Sequence, residues 1–179
     1  MRIAIALATA VALLGALPVQ AADDPIDLAT VTCATARKEG EAVTPRMLTS
    51  AIVGRAAAQA KRTVYSPEFE KAVGEALKRG CDGPDGAGRK LGDIASGVAV
   101  PAKGPKDRDL ATMTCAQLGP LWKEEARQLV PFLVALRDTP TNAPLTKAAL
   151  DKVGEGLPKL CKEAGNSGKL VMELVAGLK

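Results

Sequence analysis

An internal repeat with two cysteines in each copy constrains the fold of this chain more than any other feature. The segment DLATVTCA at residues 27–34 recurs as DLATMTCA at residues 109–116, with one position changed. Further along, FEKAVGEALKRGC at 69–81 corresponds to ALDKVGEGLPKLC at 149–161. The offset between the copies falls from 82 to 80 residues, so the second copy is two residues shorter between these blocks. Two ordered matches of this quality indicate a tandem duplication.

The cysteines fit this duplication, because each copy has one early and one late cysteine. They are Cys33 and Cys81 in the first copy and Cys115 and Cys161 in the second. Four cysteines allow three pairings, and pairing within each copy keeps each unit self-contained. The alternative roles are redox or metal chemistry, but the chain has no CxxC motif and no histidine. We therefore predict two structural disulfides, each contributing about 4 kcal/mol by restricting the unfolded chain.

The first 21 residues have the pattern of a secretory signal peptide. Arg2 precedes an apolar run from Ile3 to Leu17, and small residues lead to a cleavage site after Ala21. A membrane anchor is the alternative, but the run is shorter than the ~20 residues that a spanning helix needs. We predict an exported periplasmic protein with no membrane insertion. Loss of Arg2 leaves 23 Lys and Arg against 20 Asp and Glu, a mild balance that does not favour nucleic-acid binding.

The predicted organisation is two small helical domains joined by a short linker. The first repeat covers residues 22–99, a Pro- and Gly-containing linker covers 100–105, and the second repeat covers 106–179. Apolar residues recur at three- and four-residue spacing in both copies, and no strand-like alternation stands out. The predicted fold class is therefore all-α, with two tandem four-helix domains that each contain one internal disulfide.

Four helices are predicted in the second copy. A short helix after Thr114 ends near Gly119-Pro120, and a main helix covers 121–137 with a kink at Pro131. A third helix, capped by Thr146, contains Pro158 near its end, and a fourth covers 169–178.

The first copy follows the same plan. A long helix is predicted over 45–62, and the next begins at Ser66-Pro67 and ends at Gly80-Cys81. The turn-rich loop at 82–88 resembles a calcium loop only in its two aspartates, because it lacks the bidentate glutamate and the ligand spacing of such loops.

Nothing in the sequence favours catalysis, cofactor binding or a metal site. The absence of histidine removes the commonest general base and metal ligand. No phosphate-binding loop, nucleophile elbow or dinucleotide motif occurs. Glu75 and Glu155 hold equivalent positions in the two copies, and a paired-carboxylate site is the alternative to helix-surface charges, which explain them better. Trp122 is the single tryptophan, and on an apolar helical stripe it is interpreted as a core residue and not as a binding anchor.

Each copy resembles the HdeA/HdeB family of periplasmic acid-stress chaperones. The resemblance rests on a Thr-Cys pair that opens a short helix, at 32–33 and 114–115, followed by a long helix. It also rests on a helix that ends in the second cysteine and on a short closing helix. The second copy matches better, through TCAQL, FLVALRD at 132–138 and the segment 153–161. Together the copies cover nearly all of the chain after residue 21.

The resemblance implies an ATP-independent chaperone, folded and inactive at neutral pH, that loosens in acid and binds unfolding periplasmic client proteins. The expected client-binding surface is aliphatic and follows the main helix of the second copy. Its members are Leu121, Trp122, Leu129, Val130, Phe132, Leu133 and Leu136.

The charge balance is compatible with this role. In strong acid the net charge after residue 21 would move from +3 towards +23, and self-repulsion of that size destabilises a compact state. Family members carry one such domain per chain, so two copies here suggest an intramolecular pseudo-dimer, with homo-oligomers as the alternative. The competing function is a periplasmic interaction or inhibitor module without acid activation, and an unrecognised hydrolase is a weaker third reading.

Overall fold

The computed structural model describes residues 24–38, 43–100 and 104–178. This part of the chain is mostly helical, with a small two-stranded sheet. The predicted signal peptide at 1–21 and linker residues 101–103 lie outside the described residues. The elements are α1 (Cys33–Lys38), α2 (Pro45–Gln59), β1 (Val64–Tyr65), α3 (Pro67–Asp82), α4 (Leu91–Ser96), β2 (Arg108–Asp109), α5 (Cys115–Asp138), α6 (Lys147–Lys162) and α7 (Val171–Gly177).

Side-chain caps set the starts of the main helices in the first repeat. The Thr44 hydroxyl accepts a hydrogen bond from the Met47 amide at 3.3 Å, and Pro45 takes the first helical position. Ser66 caps α3 in the same way, with Pro67 following it as the sequence predicts. Helix α2 ends at Gln59, three residues before the predicted end. The chain turns there, because Lys61 has the left-handed φ of 53°.

The second repeat contains three α-helices in place of the four predicted. The expected break near Gly119-Pro120 is wrong, since α5 runs without interruption from Cys115 to Asp138. Pro120 removes only the hydrogen bond to the Ala116 carbonyl, and both residues are exposed, so solvent can hydrate that carbonyl. Leu118 and Leu129 are both buried and hold the helix to the core on either side of the proline.

The two strands join the repeats and were not predicted. Strands β1 and β2 pair antiparallel, with Val64 opposite Asp109 and Tyr65 opposite Arg108. An isolated bridge joins Ile26 to Leu145 through two reciprocal 2.8 Å backbone hydrogen bonds. By the repeat offsets, Ile26 corresponds to Arg108 and Leu145 corresponds to Tyr65. The start of each repeat therefore pairs with the segment just before the equivalent helix of the other repeat, which is α3 in the first repeat and α6 in the second. Pairs this short give the sequence no alternation to detect.

The repeated DLATxTC block makes the same contacts in both copies. The Leu91 amide donates to the Val31 carbonyl at 3.0 Å, and the Val171 amide donates to the Met113 carbonyl at 2.9 Å. The amides of Cys33 and Cys115 donate to backbone carbonyls of the same two segments. The block therefore ties the first and last helices of each repeat together beside the disulfide.

Each disulfide lies within one repeat. Cys33 bonds to Cys81 with a Cα–Cα distance of 5.5 Å, and Cys115 bonds to Cys161 with a Cα–Cα distance of 5.1 Å. Among the described residues no cysteine is free. Because each bridge closes a loop of nearly fifty residues, each restricts the unfolded chain to a similar extent.

One hydrophobic core includes side chains of both repeats. The most extensive helix contact in the described part of the chain is between α2 of the first repeat and α5 of the second. Helices α3 and α4 then pack on α2, while α6 and α7 pack on α5. The core therefore has α2 and α5 at its centre and the remaining helices around them.

Removing either bridge should destabilise the chain by a similar amount. We expect Cys33→Ala with Cys81→Ala, and separately Cys115→Ala with Cys161→Ala, each to lower the free energy of unfolding by about 4 kcal/mol. Urea unfolding followed by circular dichroism measures this. Reduced wild-type protein is the control and should lose at least as much as either variant. An unchanged unfolding midpoint in either double variant would contradict this account.

Candidate functional site: the contact between the repeats

The backbones of the two central helices approach each other closely at Gly54. A Cβ atom at this position would lie 2.5 Å from the carbonyl oxygen of Phe132, which is far inside van der Waals contact. The obstacle is backbone, so it cannot turn aside as the end of a side chain would. Gly54 therefore permits the close crossing of α2 and α5.

The residues predicted as a client-binding surface lie in or against this core. Phe132, Leu133 and Leu129 have no exposed surface, and Val130 and Leu136 are each 8% exposed. Leu121 and Trp122 are partly buried and pack against the core from the first turns of α5. In the folded chain most of this surface is therefore covered, and Trp122 lies at the edge of the core.

An aromatic pair continues the contact on the side of β1. The rings of Tyr65 and Phe132 meet edge to face, with centroids 5.3 Å apart and planes inclined by 72°. Tyr65 belongs to the first repeat by sequence, and Phe132 belongs to the second. The pair therefore adds a contact between the repeats next to the strand pairing.

Beside this pair the first repeat buries a carboxylate. Glu70 is 7% exposed and accepts a hydrogen bond from the Ser50 hydroxyl at 2.8 Å and from the Tyr65 hydroxyl at 2.7 Å. The Ser50 hydroxyl is also 3.1 Å from the Arg46 carbonyl. Each carboxylate oxygen thus has a donor, which offsets part of the cost of burying the charge.

A polar contact across the repeats lies nearby. Oriented by its hydrogen bonds, the Gln128 side-chain amide of α5 accepts from Arg46 at 2.6 Å and donates to the Glu125 carbonyl at 3.2 Å. Gln128 is 7% exposed, whereas Arg46 is exposed. The guanidinium of α2 therefore ties the start of that helix to the middle of α5.

Burial raises the pKa of the Tyr65 phenol far above its ordinary value of 10.0. The negative charge of Glu70 and its hydrogen bond from the phenol act in the same direction, as does the charge of Glu125, while Arg46 opposes them. The folded chain holds the neutral phenol, so this stabilisation is complete below pH ~10 and is lost as the pH rises above it.

Asp27, which opens the repeated block, behaves in the opposite way. The hydrogen bond from the Ala29 amide, at 2.8 Å, holds the pKa of this carboxyl below its ordinary value of 3.8. The Thr30 hydroxyl lowers it further, and the charges of Arg55 and Lys90 add to the effect. The resulting stabilisation is present above pH ~4 and is lost as the pH falls through the lowered pKa. The residue is exposed, so solvent limits the size of this effect.

An open apolar groove lies beside the disulfide of the first repeat. It has a volume of about 350 Å³ and is bounded by α1, α2 and α3. Leu48, Leu77 and Leu91 form part of its floor, and Arg37 and Lys78 border it. The groove is therefore apolar inside, with two cationic side chains among its lining residues.

The two glutamates that the sequence analysis considered as paired carboxylates lie on the surfaces of separate helices. Glu75 and Glu155 are both exposed on helices, and Glu155 forms a 3.5 Å ion pair with Lys159. Within the described ranges no group of three or more acidic or cysteine side chains is arranged to hold a metal ion. Among the same residues no helix is both long and apolar enough to cross a membrane.

Several residues of this site were missed by the sequence analysis, among them Gly54, Tyr65 and Glu70. Gly54 lies in an alanine-rich helix, where a single glycine gives no signal of its own. The aligned repeats did contain a signal for the other two, since the equivalent positions of the second copy hold Leu145 and Leu150. A tyrosine and a glutamate in one copy, aligned with two leucines in the other, indicate a polar site in the first copy only.

Comparisons with known proteins identify no relative. No family model matches the chain, no curated protein matches it, and no solved structure matches its fold.

Substitution of Gly54 should disturb the contact between the repeats. We expect Gly54→Ala to lower the free energy of unfolding by about 1–3 kcal/mol, because the new methyl group overlaps the Phe132 carbonyl. Urea unfolding measures the change. Gly74→Ala is the matched control, since its Cβ would meet only Thr49 at 3.7 Å and alanine favours a helix interior. A Gly54 variant as stable as the Gly74 variant would contradict the crossing.

The phenol of Tyr65 should ionise only when the chain opens. Tyr65 is the only tyrosine, so absorbance at the phenolate band reports this residue alone. We expect no phenolate near pH ~10 in the folded chain and an abrupt rise at the pH of alkaline unfolding. The same titration in strong denaturant provides the control, with ionisation near pH ~10. Ordinary ionisation without loss of helix would show that the phenol is not buried in the folded chain.

Proposed function

We propose that this chain is a periplasmic, ATP-independent acid-stress chaperone that binds unfolding client proteins through aliphatic surface. One observation carries the proposal. The apolar face of α5 is covered by α2 of the other repeat, while each repeat is closed by its own disulfide. Separation of α2 from α5 would uncover apolar side chains without breaking either closed unit.

The finer arrangement we propose is two tandem helical units packed as an intramolecular pseudo-dimer. In support, the repeated blocks make equivalent backbone contacts, and the first residues of each repeat pair with the backbone of the other repeat. Because both partners belong to one chain, opening requires no dissociation into separate molecules. The proposed acid transition therefore has a midpoint independent of protein concentration.

Acid supplies a physical cause for opening. Protonation of the 20 Asp and Glu side chains leaves the positive charge of Lys and Arg unbalanced, and the resulting repulsion favours expanded states. The stabilisation from Asp27 is lost in the same direction, below pH ~4. The positive charge of the opened chain would also help to keep a bound client in solution.

The proposed location follows from the predicted export. The pattern of residues 1–21 is that of a signal peptide, and two disulfides suit an oxidising compartment. Clients would then be periplasmic proteins that unfold in acid. The proposal requires no enzyme activity and no cofactor.

The proposal predicts suppression of client aggregation in acid only. We expect the oxidised chain to keep an acid-denatured client soluble at about pH 2–3 and to have no effect at neutral pH. Light scattering measures aggregation. The midpoint of the acid transition, followed by Trp122 fluorescence, should stay fixed over about a hundredfold range of protein concentration. Native structure at pH ~2 without suppression would exclude the chaperone.

The two glycine variants test the surface proposed for binding. Gly54→Ala weakens the crossing, so its suppression should begin at a higher pH than in the wild type. Gly74→Ala leaves the crossing intact and should not shift the onset upward. Equal onset in both variants would show that the contact of α2 with α5 does not govern binding.

The second candidate is a periplasmic interaction or inhibitor module on the same scaffold. The observation that favours it is the apolar groove beside the Cys33–Cys81 bridge, which is open in the folded chain. Such a module would bind a folded partner at neutral pH. It would retain its structure in acid and would not suppress aggregation there.

A further inference from the structure

The two repeats bury side chains of different kinds in equivalent positions. Tyr65 and Glu70 in the first repeat correspond to Leu145 and Leu150 in the second. The correspondence holds in the structure, because Tyr65 pairs with Arg108 in the way that Leu145 pairs with Ile26. All four side chains are buried. The first repeat thus has a hydrogen-bonded carboxylate and phenol where the second has hydrocarbon.

The sizes of the buried side chains differ in the same direction. Among the described residues, the twelve largest fully buried side chains include only three from the first repeat, Ile52, Val53 and Val73. The other nine belong to the second repeat and include Phe132 and six leucines. Besides Leu48, Ile52 and Val53, helix α2 buries small residues such as Ala51 and Ala57. Within the described ranges each repeat contributes seventeen of the buried apolar residues, but three of those in the first are alanines against one in the second. Because apolar burial stabilises a fold roughly in proportion to the area removed from water, it favours the second repeat by a modest amount.

The buried carboxylate adds to this difference. A charged network in a core stabilises less than well-packed hydrocarbon of similar volume, because desolvation offsets most of its attraction. Glu70 is the only buried charged side chain among the described residues. The Ser50 and Tyr65 hydroxyls donate to it, Arg46 lines the same cleft, and the charge of Glu125 from α5 acts on the Tyr65 phenol. Its neighbour Lys71 is exposed on the same helix.

We propose that the repeats open in a fixed order, with the first repeat loosening while the second stays folded. This order follows from the packing alone and holds at neutral pH. Its consequence for clients rests on the proposed function. The surface that becomes available is the face of α5 that α2 covers, while α6 and α7 are still packed against the rest of α5. The chain would then bind through a folded, disulfide-closed unit.

Hydrogen exchange on the oxidised full chain tests the order at neutral pH, without any client. We expect amides of α3 to be protected about tenfold less than those of α6, and urea to remove protection in α3 and α4 before α6 and α7. Peptides resolved by mass spectrometry report the helices separately. A single urea midpoint for all four helices, or the reverse order, would overturn the proposal.

Exchanging the divergent residues tests the cause. The double variant Tyr65→Leu with Glu70→Leu gives the first repeat the residue types of the second, and Ser50 can still donate to the Arg46 carbonyl. We expect protection in α3 to rise towards that in α6. Leu150→Glu is the reciprocal variant and should lower protection in α6. An unchanged difference between α3 and α6 in both variants would refute the assigned cause.

Client binding is measured separately, so the two proposals fail separately. Ordered exchange with no suppression of aggregation at about pH 2–3 would remove the chaperone and leave the order of opening intact. Suppression with simultaneous exchange of all helices would do the reverse.

Discussion

The crossing of α2 and α5 is the contact on which the rest of this structure depends. Each of these helices makes its most extensive contact with the other, and the remaining helices of each repeat pack around this pair. The crossing requires Gly54, because any side chain there would meet the backbone of α5 at Phe132. Around it, Tyr65 stacks edge to face on Phe132, and Arg46 binds Gln128. The repeats are thus united by helix packing, a ring contact, side-chain hydrogen bonds and the backbone pairings of Ile26 with Leu145 and of β1 with β2.

The disulfides act at a different level. Both lie within a repeat, so they restrict each unit without fixing one unit to the other. Only noncovalent contacts and the connecting chain hold the repeats together. This division suits the proposed function, in which the contact between the repeats is lost while each repeat stays closed by its disulfide. It also allows the two units to differ in stability, as the placement of Glu70 and of the large apolar residues indicates.

Much of the local structure was predictable, because helix caps and the spacing of apolar residues involve only residues close together in the sequence. Ser66 with Pro67 and Thr146 mark helix starts, and the spacing of Val73 and Leu77 marks a buried face. The uninterrupted α5 was not predictable from Gly119-Pro120, since burial of Leu118 and Leu129 outweighs a local helix breaker. The strand pairs were missed because each depends on a partner more than forty residues away. The residues predicted as a client-binding surface at 121–136 lie on α5 and belong to the core or pack against it, and their role in binding stays a prediction.

The exchange of strand partners between the repeats has a consequence for the origin of the chain. A single repeat would leave the backbone before its first block, and the backbone before the helix equivalent to α3 or α6, without the partners seen here. An ancestor consisting of one repeat would have satisfied both edges by pairing with an identical molecule about a twofold axis. Gene fusion would then have converted that homodimer into one chain with a fixed one-to-one ratio. Fusion would also release the two copies from the identical evolution that symmetry imposes on a homodimer, and so allow a glutamate at only one of two equivalent positions in the shared core.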